Sequence, residues 1–104
     1  MPNIFAVQEK YMKFDLGKLN TTEKINNKIK ENKNFMDFLR ECLNKHVKGD
    51  WGFIDYNDRK NNEKALINNS QIISKYSEER YPTIKIITKG DRSLTTILFS
   101  DEII

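Results

Sequence analysis

Two short stretches hold the side chains best suited to chemistry. The first is His46-x-x-Gly49-Asp50-Trp51-Gly52. An imidazole followed four residues later by a carboxylate could be oriented by a hydrogen bond to it, as in a residue poised for proton transfer. Glycines on both sides would let the backbone turn sharply, with Trp51 as a recognition platform beside a polar pocket. Turn chemistry explains the same residues without a ligand and is preferred: His46 ends an apolar stripe, Gly49 caps a helix, Asp50 bonds the turn and Trp51 plugs the core. The second stretch is Thr88-Lys89-Gly90-Asp91-Arg92-Ser93-Leu94-Thr95-Thr96. Arg92 offers a planar fork that suits a carboxylate or phosphate. Ser93 and Thr95, two residues apart on one strand face, could present hydroxyls to a ligand. A plain hairpin tip is the preferred reading, in which Asp91 closes the turn, Gly90 supplies the positive φ and Thr95-Thr96 are ordinary strand residues. A bare turn, however, does not require Arg92.

Catalysis has little to build on. One His and one Cys do not make a zinc site. Cys42 and His46 are four residues apart on a helical pattern and so are neighbours, yet both fall on the apolar stripe, where a thiol is buried and inert. The sequence has no Gly-rich phosphate loop and no nucleophile elbow. An enzyme would have to use His46, Asp50, Asp91, Arg92 and Ser93. The expectation is a chain with no catalytic residue, cofactor or metal.

A third set is basic. Lys24, Lys28, Lys30, Lys33, Arg40, Lys45 and Lys48 outnumber the acids around them. With an exposed Trp51 they could hold a single-stranded nucleic acid by charge and stacking. The overall charge of +3 argues only weakly for an anionic partner. Lys, Asn and Ile are all abundant, as in an AT-rich genome, so the basic pI is discounted as a nucleic-acid signal.

The elements that would position these residues follow from periodicity. At 104 residues the chain suits one domain with one modest core. Ile4–Val7 and Tyr11–Leu19 alternate as strands do, with Gly17 at a bulge or bend. Asn20-Thr21-Thr22-Glu23 reads as the cap of a helix carrying Ile25 and Ile29. Phe35, Phe38, Leu39, Cys42, Leu43 and His46 form the buried stripe of a second helix, capped by Asn34 and ended by Gly49. A third helix spans 57–68 behind Asp55 or Asn57, with Ala65 and Leu66 inward and Asn68-Asn69 as its break. Strands follow over 71–76, 83–89 and 93–99, joined by short turns into an antiparallel meander. The tail Asp101-Glu102-Ile103-Ile104 would dock or fray. The predicted fold is α+β, with N-terminal helices packed on one face of a C-terminal antiparallel sheet of three to four strands.

The order of these pieces resembles a family of small bacterial proteins carried by plasmids, phages and other mobile elements. The likeness runs from Phe14-Asp15-Leu16-Gly17-Lys18-Leu19 to Leu98. It rests on Phe38-Leu39, the His46–Gly52 motif, Asn62-x-x-Ala65-Leu66, Ser74-x-Tyr76 and Ile87-Thr88-x-x-Asp91-Arg92-Ser93-x-Thr95-Thr96-x-Leu98. The chain departs from the pattern at Lys85, at Lys89 and over Ser100-Asp101-Glu102-Ile103. The resemblance implies no enzymatic activity. It implies a compact accessory protein of mobile DNA that docks on a host or mobile-element protein, such as a defence nuclease, and inhibits it. Binding nucleic acid through the basic face is the alternative. With one cysteine, no signal-like N-terminus and no long apolar run, the expected location is the cytoplasm and no membrane is expected as partner.

Overall fold

The structure is a computed structural model and describes residues 11–102. A strand expected over Ile4–Val7 lies outside those residues, as do Ile103 and Ile104. The fold is α+β. A short strand, β1 (Lys18–Thr21), leads into three helices, α1 (Glu23–Glu31), α2 (Lys33–Val47) and α3 (Tyr56–Asn68). Strands β2 (Ile72–Glu78), β3 (Tyr81–Thr88) and β4 (Leu94–Phe99) follow.

Local chemistry sets the helix ends. Thr22 caps α1 by accepting the amide of Ile25. Its hydroxyl also donates to the Glu102 carboxylate at 2.8 Å, so the tail docks beside the positive end of α1. Asn32 lies between α1 and α2 in an extended conformation, and its side chain accepts the Asn34 amide. The cap is therefore Asn32 and not Asn34, because only Asn32 has the non-helical backbone that a cap needs. Asp55 caps α3 and accepts the Asp58 amide. Asn69 closes α3 in the left-handed region at φ 58°.

The sheet order is β1-β4-β3-β2. β2, β3 and β4 form the expected antiparallel meander. β1 joins β4 in parallel, pairing Lys18 with Leu94 and Thr21 with Ile97. The parallel direction follows from connectivity, because three helices and two strands separate β1 from its partner. The long alternating strand expected over Tyr11–Leu19 is absent, and only Lys18 onward is strand. Gly17 turns the chain there at φ 66°, where a Cβ would lie 2.4 Å from the Arg92 carbonyl oxygen. Residues 11–16 therefore run beneath the sheet's end and send Phe14 and Leu16 into the core instead of alternating along an edge.

The inner face of the sheet carries Ile72, Ser74 and Tyr76 from β2, Ile84, Ile86 and Thr88 from β3, and Thr95, Ile97 and Phe99 from β4, all buried. The helices meet it in order, α1 at β4, α2 at β3 and α3 at β2. The α2 stripe of Phe35, Leu39, Cys42, Leu43, His46 and Val47 is buried. Phe35 stacks on Phe99 at 5.9 Å and meets Tyr81 edge-on at 5.1 Å, closing the far end of the core.

Candidate functional site

The polar centre of the molecule lies under the sheet. α2 carries His46 into the core with no solvent exposure. Its Nδ1 is 2.6 Å from the Ser74 hydroxyl on β2, and its Nε2 is 2.9 Å from the Thr88 hydroxyl on β3. Thr88 Oγ1 lies 2.7 Å from Thr95 Oγ1 on β4. Thr95 donates to the carbonyl of Leu16 at 2.7 Å.

A hydroxyl has one proton, so this end point orders the whole chain. Thr95 gives its proton to Leu16, and Thr88 must then donate to Thr95. Thr88 can only accept from His46, which places the imidazole proton on Nε2. Nδ1 is left as acceptor for the Ser74 hydroxyl. Burial, reinforced by the positive Arg92, lowers the His46 pKa to about 3, so the ring is neutral.

A serine hydroxyl on an imidazole nitrogen is the pairing of an activated nucleophile. Here Ser74, Thr88 and Thr95 are as fully buried as His46. No substrate can reach the pair, and a threonine, not a carboxylate, holds the other nitrogen. The network joins α2, three strands and the Leu16 segment, and its role in the fold is to satisfy buried polar groups.

The alternative bond from His46 to Asp50 is therefore absent, since both ring nitrogens are engaged elsewhere. Cys42 is buried beside this stripe, and burial pushes its thiol up to about 12, the acidic Glu41 assisting and Lys45 opposing. It is a protonated core side chain. Among the described residues no group of three or more His, Cys, Asp or Glu is arranged to hold a metal.

The Gly49–Gly52 turn lies along the outer edge of β2. Gly49 has φ 86°, as its capping role requires. Trp51 accepts the Lys75 amide at 3.1 Å and Phe53 donates to the Lys75 carbonyl at 2.8 Å, so one residue pair extends the sheet in parallel. Gly52 sits where a Cβ would come within 2.0 Å of the Lys75 carbonyl oxygen. Asp50 bonds back to the Gly52 amide, and its carbonyl accepts the Tyr76 hydroxyl at 2.7 Å. Trp51 is 4 % exposed and belongs to the core. It is not a recognition platform, because the indole is buried in the core.

The hairpin tip is also structural. The residue in the left-handed region is Arg92 at φ 61°, not Gly90. Asp91 accepts both the amide and the hydroxyl of Ser93, which hold its carboxyl below the usual range. Arg92 Nη2 donates to the Ala65 carbonyl at 2.7 Å and Nη1 to the Ser70 carbonyl at 2.7 Å. The fork proposed for an anion thus caps the C-terminal end of α3, where the helix dipole favours a cation. Ser93 is exposed while Thr95 is sealed in the network, so the two hydroxyls do not form a ligand pair.

The two motifs meet only inside the buried network, where His46 bonds Thr88; the Gly49–Gly52 turn and the Arg92 tip do not converge. Trp51–Phe53 pairs with Lys75, whereas Arg92 reaches Ser70, five residues earlier and on the order of 15 Å away at the rise of an extended chain. Phe14 adds an indirect link from His46 to the tip, with its ring 5.2 Å from the His46 ring and 5.5 Å from the Arg92 guanidinium.

Sequence reasoning did not assign roles to Asn62, Ser74 or Thr88. Asn62 is 2 % exposed on α3, and its carboxamide both donates to the Ile73 carbonyl at 2.7 Å and accepts the Ile73 amide at 3.1 Å. Polar residues at inward positions of a helix or strand are the signal that could have found these three.

The basic set is dispersed. Arg40 pairs with Asp37 at 2.8 Å, Lys45 with Glu41 at 3.6 Å, and Lys48 lies over the Tyr11 ring. Lys24, Lys28, Lys30 and Lys33 remain along α1 and the start of α2.

The main concavity is elsewhere, a groove of about 660 Å³ between α2, Phe53 and the end of β2. No helix among the described residues is long and apolar enough to cross a membrane. Compared with known proteins, the chain matches no family model, no curated protein and no solved structure.

Proposed function

We propose that the protein is a non-catalytic binding protein of a mobile element, acting in the cytoplasm by docking on a host protein such as a defence nuclease and inhibiting it. One observation carries this reading. The side chains that could do chemistry are engaged internally: His46 by two hydroxyls, Arg92 by backbone carbonyls and Asp91 by Ser93. Large apolar side chains meanwhile stand in solvent, with Phe53 83 %, Tyr56 68 % and Ile67 87 % exposed. Exposed aromatic residues set among charges are typical of surfaces that bind other proteins.

The test is affinity purification of the tagged chain from a bacterial host, with cross-linking before lysis. The expected result is a single stoichiometric partner that the purified chain binds again and inhibits. A chain that elutes solely as a monomer, with no cross-linked partner, would sink the proposal.

A further inference from the structure

The outer edge of β2 is covered in part. Residues 73 and 75 turn their N–H and C=O groups away from β3, as alternation in an antiparallel ladder requires, and Ser77 follows at the register shift between Tyr76 and Glu78, with no partner residue in the ladder. The pair on Ile73 is met by the Asn62 carboxamide, and the pair on Lys75 by the Trp51 and Phe53 backbone. The next pair belongs to Ser77. Beside it the covering segment leaves the edge, because Ile54 bonds back to Gly52 and Asp55 starts α3.

The space so left is the 660 Å³ groove, which Gly52, Phe53, Tyr76 and Ser77 line opposite α2. Phe38 and Cys42 contribute apolar surface from the helix side. The ionic lining comprises Asp37, Glu41 and Glu78 against Lys45, Lys75 and Arg80, three of each sign. Glu41 is already paired with Lys45, and Glu78 with Arg80. A balanced lining gives no attraction to a polyanion, and a slot beside a strand edge fits one extended backbone.

We propose that this groove takes an extended, uncharged segment of a partner protein. The segment pairs its backbone with Ser77, completing the strand that Trp51–Phe53 begins, and sets an apolar side chain between Phe53 and Phe38. The inference rests on the reading of the chain as a binding protein and names the surface used.

The test uses the full chain and a displayed library of random twelve-residue peptides, followed by calorimetry with the synthesised winners. Enriched sequences are expected to share an apolar residue among uncharged neighbours. Binding should fall at least tenfold in Phe53→Ala and in Ser77→Pro, a change that removes the amide of a residue with no partner in the β2–β3 ladder. Glu63→Ala and Lys64→Ala, exposed on α3 and outside the groove, should bind as the parent does. Raising salt from 50 to 300 mM should change affinity less than about twofold, because no net charge is neutralised. Bound peptide should also slow amide hydrogen exchange at Ser77.

Failure to enrich any peptide, or winners indifferent to both groove variants, would overturn the groove assignment. So would winners that bind as helices with Ser77 exchange unchanged. A partner captured from the host whose binding survives both variants removes the groove and leaves the binding function standing. Absence of any partner removes the function itself.

Discussion

At the level of single residues the hydroxyl chain through His46 makes sharp demands. Thr88→Val keeps the shape but removes both the acceptor for His46 Nε2–H and the donor to Thr95. Two buried groups lose their partners, and a loss of about 1–3 kcal/mol is expected by urea denaturation. Ser74→Ala should cost less, since it strips a single acceptor nitrogen. His46 also gives the fold a pH dependence. Its folded pKa of about 3 lies below the 6.5 of a free imidazole, so between these values the unfolded chain binds the extra proton. Stability is full above pH 6.5 and is lost as pH falls towards 3, at up to about 1.4 kcal/mol per pH unit. Melting between pH 7 and 5.5, above most carboxylate titration, should show the onset of this slope. In His46→Gln, which carries no titrating group, the slope should vanish even if the variant is less stable throughout.

At the level of elements two devices hold α3, and both act through side chains on backbone. Asn62 pairs with the β2 edge as a strand residue would, and Arg92 caps the helix from the tip of the β3–β4 hairpin. Arg92→Lys keeps the charge but cannot span the Ala65 and Ser70 carbonyls together. It should cost about 1–2 kcal/mol and speed amide exchange in the last turn of α3. Gly52→Ala tests the edge turn. Its φ of 70° and the approach of the Lys75 carbonyl leave no room for a methyl group, so the Trp51–Phe53 segment must lift from β2. The indole of Trp51 should then move toward water, and its emission should shift to longer wavelength.

At the level of the whole molecule the same tryptophan separates the two functional classes. The chain has one Trp, and it is buried. If single-stranded oligonucleotides bind, they do so through the scattered lysines of α1 without stacking on Trp51. Its fluorescence should stay unquenched by added single-stranded DNA, while anisotropy of a labelled strand should show only weak binding that disappears by about 200 mM salt. Quenching at low salt would reopen the nucleic-acid reading.

What could be read from the residues follows the range of the forces involved. The capping sequence Asn20–Glu23, the α3 cap narrowed to Asp55 or Asn57, the α2 stripe, the stop at Gly49 and the three C-terminal strands depend on neighbours within a few positions, so periodicity and turn chemistry located them. The cap of α2 was expected at Asn34 and is Asn32, since either asparagine can cap and only the backbone angle between the two helices decides. Tyr11–Leu19 alternates as a strand does, but alternation cannot say that Gly17 must pass against Arg92 and Ser93.

The candidate site was legible only in its residue types. His46, Asp50, Asp91 and Arg92 stand out in the sequence as chemistry-bearing groups, and their assignment to turns and core was the preferred account for both motifs, less firmly for the second because of Arg92. That His46 would meet Ser74 and Thr88, and that Arg92 would cap α3, depends on contacts between positions 22 to 42 residues apart. Local order determined which segments became helices and strands. Tertiary packing alone decided which polar groups were sealed and which face stayed open, because a hydrogen bond between distant residues leaves no periodic trace along the chain.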